Sequence, residues 1–303
     1  MISATGCLGM PDASDWIPIE EVAGAEVGTT ASTDQSGAPI RITTFNAELG
    51  RDVEAIAIAF ESVPELALTD VLLVQEIESH PGESGSRASR LAARLDMSYA
   101  YAPARDVGGG ATHGLAILTR HELSGVEVMQ LRSFEFHINS RKRIALAAYV
   151  DELRVINVHL DTRLNITERV LQLDPVVATS PETVAVAGDF NTNPYIWVDG
   201  TVPLTNVDAV SDFDQASVLD GYMADNGFDT PTRDSGPTQD ARVVELRLDS
   251  IYTRQLPVSD TGVVRGLGLS DHRPLWVDVT TGDRSRAGGR RCSAGCAGPV
   301  ARR

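Results

Sequence analysis

Six apolar runs in this chain end in a side chain able to do chemistry. Ile42-Thr43-Thr44-Phe45 is followed by Asn46, and Leu72-Leu73-Val74-Gln75 by Glu76. Val155-Ile156-Asn157-Val158 leads to His159, with Asp161 two residues on. Val184-Ala185-Val186-Ala187-Gly188 leads to Asp189, then Phe190 and Asn191. Leu246-Arg247-Leu248 ends at Asp249, and Leu269-Ser270 runs into Asp271 and His272. Carboxylates, amides and imidazoles make a set rich in oxygen ligands and without sulfur. That set suits a hard cation such as Mg²⁺, which needs only one or two protein carboxylates because it keeps several waters. A zinc site would be announced by paired His/Cys spacing, and none is present. A divalent ion beside histidines and an Asp–Asn pair suits displacement at phosphorus. The charges neutralise phosphoryl oxygens, and a carboxylate orients or deprotonates the attacking water.

For these residues to act together, the strands that carry them must end on one side of the molecule. In layered α/β folds, ligands bind beyond the carboxyl ends of strands. Short β-branched runs of strand length lie at 40–45, 71–74, 115–118, 144–150, 154–158, 183–187, 246–251 and 275–279. Helical spacing occurs at Val53, Ile56, Ala57 and Phe60 behind Asp52 as an N-cap, and again at Ala88, Leu91, Ala92 and Leu95. Ile166, Val170 and Leu173 form a third face. Val218, Leu219, Tyr222 and Met223 form a weaker fourth. Strands outnumber helices and several are adjacent in sequence, which predicts a mixed α/β (α+β) layered fold rather than a βαβ repeat. Residues 199–216 and 229–245, and the three glycines at 108–110, read as loops. Those glycines lack the Lys-Ser/Thr that would make them a phosphate cradle.

Composition narrows the class. The 303 residues carry 26 Lys+Arg against 42 Asp+Glu, a net charge of −16, with 42% hydrophobic residues and no run long enough to span a bilayer. A basic nucleic-acid coat and a disulfide scaffold are both disfavoured. Cysteines occur only at Cys7, Cys292 and Cys296, outside the body of the chain. Residues 1–39 hold acids and no base, and read as a disordered acidic leader. Residues 281–303 hold six arginines against Asp283, and read as a disordered basic tail. Residues 40–280 are then the catalytic domain, expected as a monomer. Ala4-Thr5-Gly6-Cys7 resembles the stretch before a lipoprotein cysteine but lacks an apolar h-region. As written the chain is expected in the cytoplasm. A start further upstream would instead make it exported or lipid-anchored through Cys7.

The motifs Thr44-Phe45-Asn46, Val74-Gln75-Glu76, Gly114-Leu115-Ala116-Ile117-Leu118-Thr119-Arg120, Asn157-Val158-His159-Leu160-Asp161, Gly188-Asp189-Phe190-Asn191, Leu248-Asp249-Ser250-Ile251 and Ser270-Asp271-His272-Arg273-Pro274 carry a resemblance. Over residues 40–280 the chain resembles the endonuclease/exonuclease/phosphatase superfamily, metal-dependent phosphoesterases of the pancreatic deoxyribonuclease type. The resemblance implies a four-layer α/β/β/α sandwich, with two mixed sheets face to face and helices outside. It implies a Mg²⁺-dependent hydrolase, with Mn²⁺ as the other candidate ion, cleaving phosphodiester or phosphomonoester bonds by water attack.

Carried onto this chain, Glu76 would ligate the metal with Asn46 beside it and Asp271 near it. His159 would contact the scissile phosphate. Asp189 would position or deprotonate the water, and Asn191 would hold a phosphate oxygen. Asp249 would orient His272, which would stabilise the transition state or act as acid/base. Whether Asp189 or His272 is the base, and whether one or two metals act, stays open.

Singly, each of these residues also fits a structural role, and the remaining histidines 80, 121 and 137 are read that way. His113, just before the 115–118 strand, is a substrate-side candidate. Arg141, Lys142 and Arg143 form the one basic cluster of the domain, which fits either a substrate-phosphate contact or a solvated strand edge. With Arg163, Arg143 and His113 complete the substrate-binding candidates. Asn165-Ile166-Thr167 matches a glycosylation acceptor but reads as a helix start. A nucleic-acid substrate is the first expectation and must rest on a local patch, given the charge. A phospholipid, sphingomyelin-type or small-molecule diester is the alternative, with Tyr195-Ile196-Trp197 as the segment able to imitate a membrane-entering hairpin. A non-catalytic binding module is the third reading. The Trp and Cys-Asp-Arg pattern of inositol phosphatases is absent.

Overall fold

The computed structural model describes residues 16–17, 23–30, 38–134, 142–193, 195–198, 202–205, 215–241 and 244–281. Cys7, Cys292, Cys296, His137 and Arg141 lie outside them, as do most of the leader and nearly all of the tail. Two sheets dominate. The seven-stranded one runs Val258–Val263, Leu275–Val279, Ile40–Leu49, Val71–Ser79, Ala111–Thr119, Ser98–Gly108, Glu26–Gly28 in spatial order. The five-stranded one runs Asp249–Arg254, Val184–Asp189, Leu153–His159, Ile144–Val150, Leu123–Gln130. Each contains one parallel pair, Ile40–Leu49 with Val71–Ser79 and Leu153–His159 with Val184–Asp189, and is otherwise antiparallel.

Period-two alternation of side chains builds three apolar layers. Val71 and Leu73 point into the space between the sheets, where they join Ile42, Ile117, Leu146, Val155, Ala185 and Val277. Leu72 and Val74 point the other way, onto the helices Val53–Ser62 and Arg87–Leu95. On the second sheet Ala145, Ile156 and Val186 face outward onto Ile166–Thr179 and Gln215–Asp225. Strands covered on both faces read as continuous apolar runs, which is why they were legible. The four-layer sandwich follows from these three layers.

The helix starts follow the sequence. Asp52 accepts from Ala55 N–H at 2.9 Å, Ser86 accepts from Ser89 N–H at 3.1 Å, and Asn165 sits in a capping box with Glu168. The weak fourth face needs one correction. Leu219 and Met223 are buried, but Val218 is exposed, so the buried stripe is narrower than the sequence suggests. The 246–251 run is split, with Val244–Leu246 in a hairpin with Gln239–Ala241 and the sheet strand beginning at Asp249. Residues 239–241 and 202–205 are therefore strand rather than loop, the latter paired with Tyr195–Val198. From the segment read as leader, Glu26–Gly28 adds an edge strand against Tyr99–Tyr101, and Trp16–Ile17 pairs with Ser133–Phe134.

Two irregularities serve the strand ends. Between Val74 and Ile77 the ladder to Ala111–Thr119 slips, so that Gln75 and Glu76 face the single residue Leu115, and Glu76 takes φ +55°. Gly188 takes φ +147°, and a Cβ there would lie 1.9 Å from Val158 O. Only glycine lets the two parallel strands close up beside Asp189.

Candidate active site

The carboxyl-end halves of Ile40–Leu49, Val71–Ser79, Leu153–His159 and Val184–Asp189, with the starts of the antiparallel strands Asp249–Arg254 and Leu275–Val279, bring Asn46, Glu76, His159, Asp189, Asn191, Asp249 and His272 together. Asp189 is the hub. Its Oδ2 accepts a hydrogen bond from Asn46 Nδ2 at 3.0 Å, and its Oδ1 accepts from Asn191 N–H at 2.8 Å. His159 Nε2 lies 3.5 Å and His272 Nε2 3.8 Å from Asp189 Oδ2. Glu76 Oε1 lies 3.8 Å from His159 Nε2. All but Glu76 are buried, and Glu76 is half-buried at the mouth.

Each imidazole and amide is held from behind. His272 Nδ1 and Asp249 Oδ2 are 2.8 Å apart, which leaves Nε2 turned toward Asp189. Asp249 is fixed through its backbone: Thr238 Oγ1 accepts from the N–H groups of both Leu248 and Asp249. Ser270 joins two motifs, donating to Asn46 O at 2.8 Å and accepting from His272 N–H at 3.0 Å. Asn191, at φ +52°, spends one amide N–H on Leu160 O. The loop after His159 is clamped by the buried Arg169, which donates to Asp161 O and Thr162 O at 3.0 Å each and to Gln215 Oε1 at 2.7 Å. Thr238 and Arg169 carried no motif in the sequence. Their backbone-directed hydrogen bonds depend on tertiary contact, which residue type and spacing do not encode.

Burial pushes the Asp189 carboxyl well above the usual carboxylate range. Asp249 adds to the rise, while His272 and the hydrogen bonds from Asn191 and Asn46 oppose it. Burial alone would push His272 down, but the carboxylates of Asp249, Asp189 and Asp271 outweigh it and hold the ring up at about 10. A carboxylate of raised basicity beside an imidazole held in its charged form offers a proton acceptor and a proton donor side by side.

Among the described residues two groups offer at least three metal-ligand atoms, each group lying within 4.8 Å: Asp189, Asp249 and His272; and Glu76, His113 and His159. Both fit a divalent cation, the first being richer in oxygen and the second in nitrogen. Asp271 belongs to neither. It is exposed, and its Oδ2 accepts from Gln239 Nε2 at 3.1 Å. Asn46 Oδ1 accepts from Glu48 N–H at 3.1 Å.

The substrate-side candidates divide. His113 and Arg143 are buried and, with His159, line a cavity of about 10 Å³, room for about one water. Beyond it, Arg105, Thr112, Gln130 and Lys142 line a cleft of about 240 Å³. Arg163 is half-buried on the clamped loop, its N–H donating to Asp161 Oδ1 at 2.9 Å. His80 and His121 are each paired with a carboxylate. His80 Nε2 lies 2.7 Å from Glu78 Oε2, and His121 Nδ1 lies 2.9 Å from Asp151 Oδ2.

Comparison with known proteins agrees with this geometry. The endonuclease/exonuclease/phosphatase profile matches residues 43–272. No curated protein sequence matches. Among solved structures, an endonuclease/exonuclease/phosphatase from Beutenbergia cavernae superposes with a TM-score of 0.61 at 18% identity, covering 81% of this chain and 72% of that one. TDP2 from D. rerio, complexed with a single-strand DNA product, gives 0.53 at 18% identity, covering 80% of this chain and 99% of that one. An AP endonuclease from Archaeoglobus fulgidus gives 0.52 at 18% identity, covering 78% and 98%. The profile spans most of the chain and takes in every one of the converging side chains, so the chain belongs to the endonuclease/exonuclease/phosphatase family of phosphoester hydrolases.

Proposed function

We propose that this chain is a Mg²⁺-dependent phosphodiesterase of nuclease type, acting through residues 40–280. The observation that carries the reading is the contact set of Asp189, whose carboxylate is within 3.8 Å of two imidazoles and hydrogen-bonded to two amide groups. Glu76 would hold Mg²⁺ or Mn²⁺ with Asn46 beside it, and Asp271, which belongs to neither group of converging ligand atoms, would stand near the ion. When bound, that ion supplies positive charge against the phosphoryl oxygens. Asp189, oriented by Asn46 Nδ2 and the Asn191 N–H, accepts the proton of the attacking water. Its raised basicity fits that task. His272, kept protonated by Asp249, donates from Nε2 to the phosphoryl group as charge builds, and His159 contacts the same group from the Glu76 side. Asn191 holds a phosphate oxygen with its second amide N–H.

The cleft of about 240 Å³ with Arg105 and Lys142, which shares Ala104 and Ile144 with the small cavity beside His159, supports a substrate that continues past the scissile phosphate. Nucleic acid fits this, and the D. rerio relative's DNA product is in keeping with it. The hairpin of Tyr195–Val198 with Val202–Thr205, close behind Asn193, favours a phospholipid or sphingomyelin-type substrate as the second reading. Plasmid, single-stranded DNA, RNA and sphingomyelin assayed side by side with Mg²⁺ separate the two. Cleavage of a nucleic acid alone is the expected result, and cleavage of sphingomyelin alone would transfer the reading to the lipid.

A further inference from the structure

We infer that the cleft of Arg105, Thr112, Gln130 and Lys142 is a subsite for a second phosphate of a nucleic-acid strand, the one flanking the scissile bond. The inference rests on the phosphodiesterase reading and names the class of its substrate. The cleft is lined from both sheets: Arg105 and Thr112 come from the seven-stranded one, Gln130 and Ile144 from the five-stranded one, with Lys142 two residues before Ile144. Through Ala104 and Ile144 it adjoins the small cavity whose wall carries His159. A bulge aims Arg105 here. Pro103 faces Gly114 and Arg105 faces His113, so Ala104 is the extra residue of its strand. Directly opposed residues of antiparallel strands project from one face. Arg105 therefore stands on the His113 side of the sheet, a place that Ala104 would take in an unbroken ladder.

The lining chemistry selects an anion. Arg105 is half-buried and Lys142 exposed, which offers one planar fork of restricted freedom and one point charge, both suited to phosphate oxygens. The Thr112 hydroxyl and the Gln130 amide add neutral donors. Asp106, the one acid among these described lining residues, is exposed, and its Oδ1 accepts from Gly108 N–H at 2.6 Å. In a chain of net charge −16, affinity for a polyanion must come from such a local pair of cations. The same pair decides between substrate classes. A choline-type headgroup carries a quaternary ammonium beyond its phosphate, which Arg105 and Lys142 would repel. A nucleotide strand carries a further phosphate there instead, which they would attract.

Fluorescence anisotropy of a labelled phosphorothioate oligothymidylate, a single strand that resists cleavage, tests the subsite with Mg²⁺ present and without relying on turnover. The wild type should bind saturably, with log affinity falling linearly in log salt. Each phosphate contact on a single strand contributes about 0.7 to that slope. Arg105→Gln and Lys142→Gln should each remove about 0.7 and weaken binding about tenfold at low salt, while melting cooperatively. Arg105→Lys should keep the slope. Arg94→Gln, on the helix Arg87–Leu95 and paired with Glu54 and Glu61, changes the net charge equally and should bind as the wild type does. No saturable binding by the wild type, or Arg105 and Lys142 variants that keep its affinity and slope, would overturn the subsite. So would variants that lose sphingomyelin vesicles yet hold the oligonucleotide as the wild type does. Hydrolysis of bis-p-nitrophenyl phosphate by the wild type keeps the two readings apart: if it is present while the subsite fails, the phosphodiesterase reading stands, and if it is absent that reading fails whatever the binding shows.

Discussion

Gln75 and Asn157 meet between the two sheets, Nε2 to Oδ1 at 2.7 Å, one residue before Glu76 and two before His159. Gln75 Nε2 also donates to Thr44 Oγ1 at 3.0 Å, and Asn157 Nδ2 donates at 2.9 Å to both Val74 O and Ala116 O. These buried amides tie the strand ends of both sheets into one platform, so the spacing of Glu76 from His159 is set by a polar contact inside an otherwise apolar layer. Replacing Asn157 by Leu leaves Gln75 without its shortest hydrogen bond in a dry interior. The expected loss is about 1–3 kcal/mol, read from urea unfolding. An unchanged midpoint would mean that the contact does not brace the platform.

The Asp249–His272 pair should govern the alkaline side of the pH–rate profile. His272 is held at about 10, so it stays charged through neutral pH and activity declines only as that proton leaves. Asp249→Asn removes the largest charge supporting the imidazolium and drops the His272 pKa. The alkaline limb should move to lower pH. Turnover should fall by about a hundredfold above neutral pH and by less on the acid side, where the ring remains charged. A uniform loss at every pH would assign Asp249 a purely structural part.

Stability of the metal-free protein should run opposite to activity at Asp189. Its folded pKa is raised from 3.8 by burial, so the folded state binds more protons than the unfolded one above that value. The Asp189 contribution therefore declines as pH rises through that raised pKa. Asp189→Asn cannot ionise and escapes this loss. With a chelator present it should melt higher than the wild type at about pH 8, with the difference closing toward acid. His272 has the same sign: its contribution is complete below 6.5 and fades as pH approaches about 10. An Asp189→Asn variant that melts lower at alkaline pH would show that the carboxylate is stabilised rather than strained.

Arg169 should act at a distance. Its guanidinium is buried and holds the backbone carbonyls of Asp161 and Thr162. Arg169→Leu keeps the bulk and frees the loop, so amide exchange at residues 161–164 should accelerate and turnover should fall without loss of the fold. Exchange at the wild-type rate would remove Arg169 as the clamp.

Much of the site could be read in the sequence because strands covered on both faces end abruptly in polar residues. Asn46, Glu76, His159, Asp189 and Asn191 each follow or close such a run, Asp249 and His272 stand at or before the start of antiparallel strands, and the fold brings all seven together. The strands at or next to a sheet margin were less legible. Ser98–Gly108, Leu123–Gln130 and Val258–Val263 carry Arg105, Glu127 and Asp260, and their stretches of exposed and half-exposed residues resemble loop composition. The approach of His113 to His159 was invisible for a different reason. It depends on how two sheets stack and on one inserted residue in a ladder, neither of which leaves a local pattern.

The most direct test is hydrolysis of bis-p-nitrophenyl phosphate with Mg²⁺ by the wild type and by Asp189→Ala, each with and without EDTA. The account predicts turnover by the wild type that EDTA abolishes, and none by Asp189→Ala. Equal rates for the two proteins, whether both active or both inert, would contradict it.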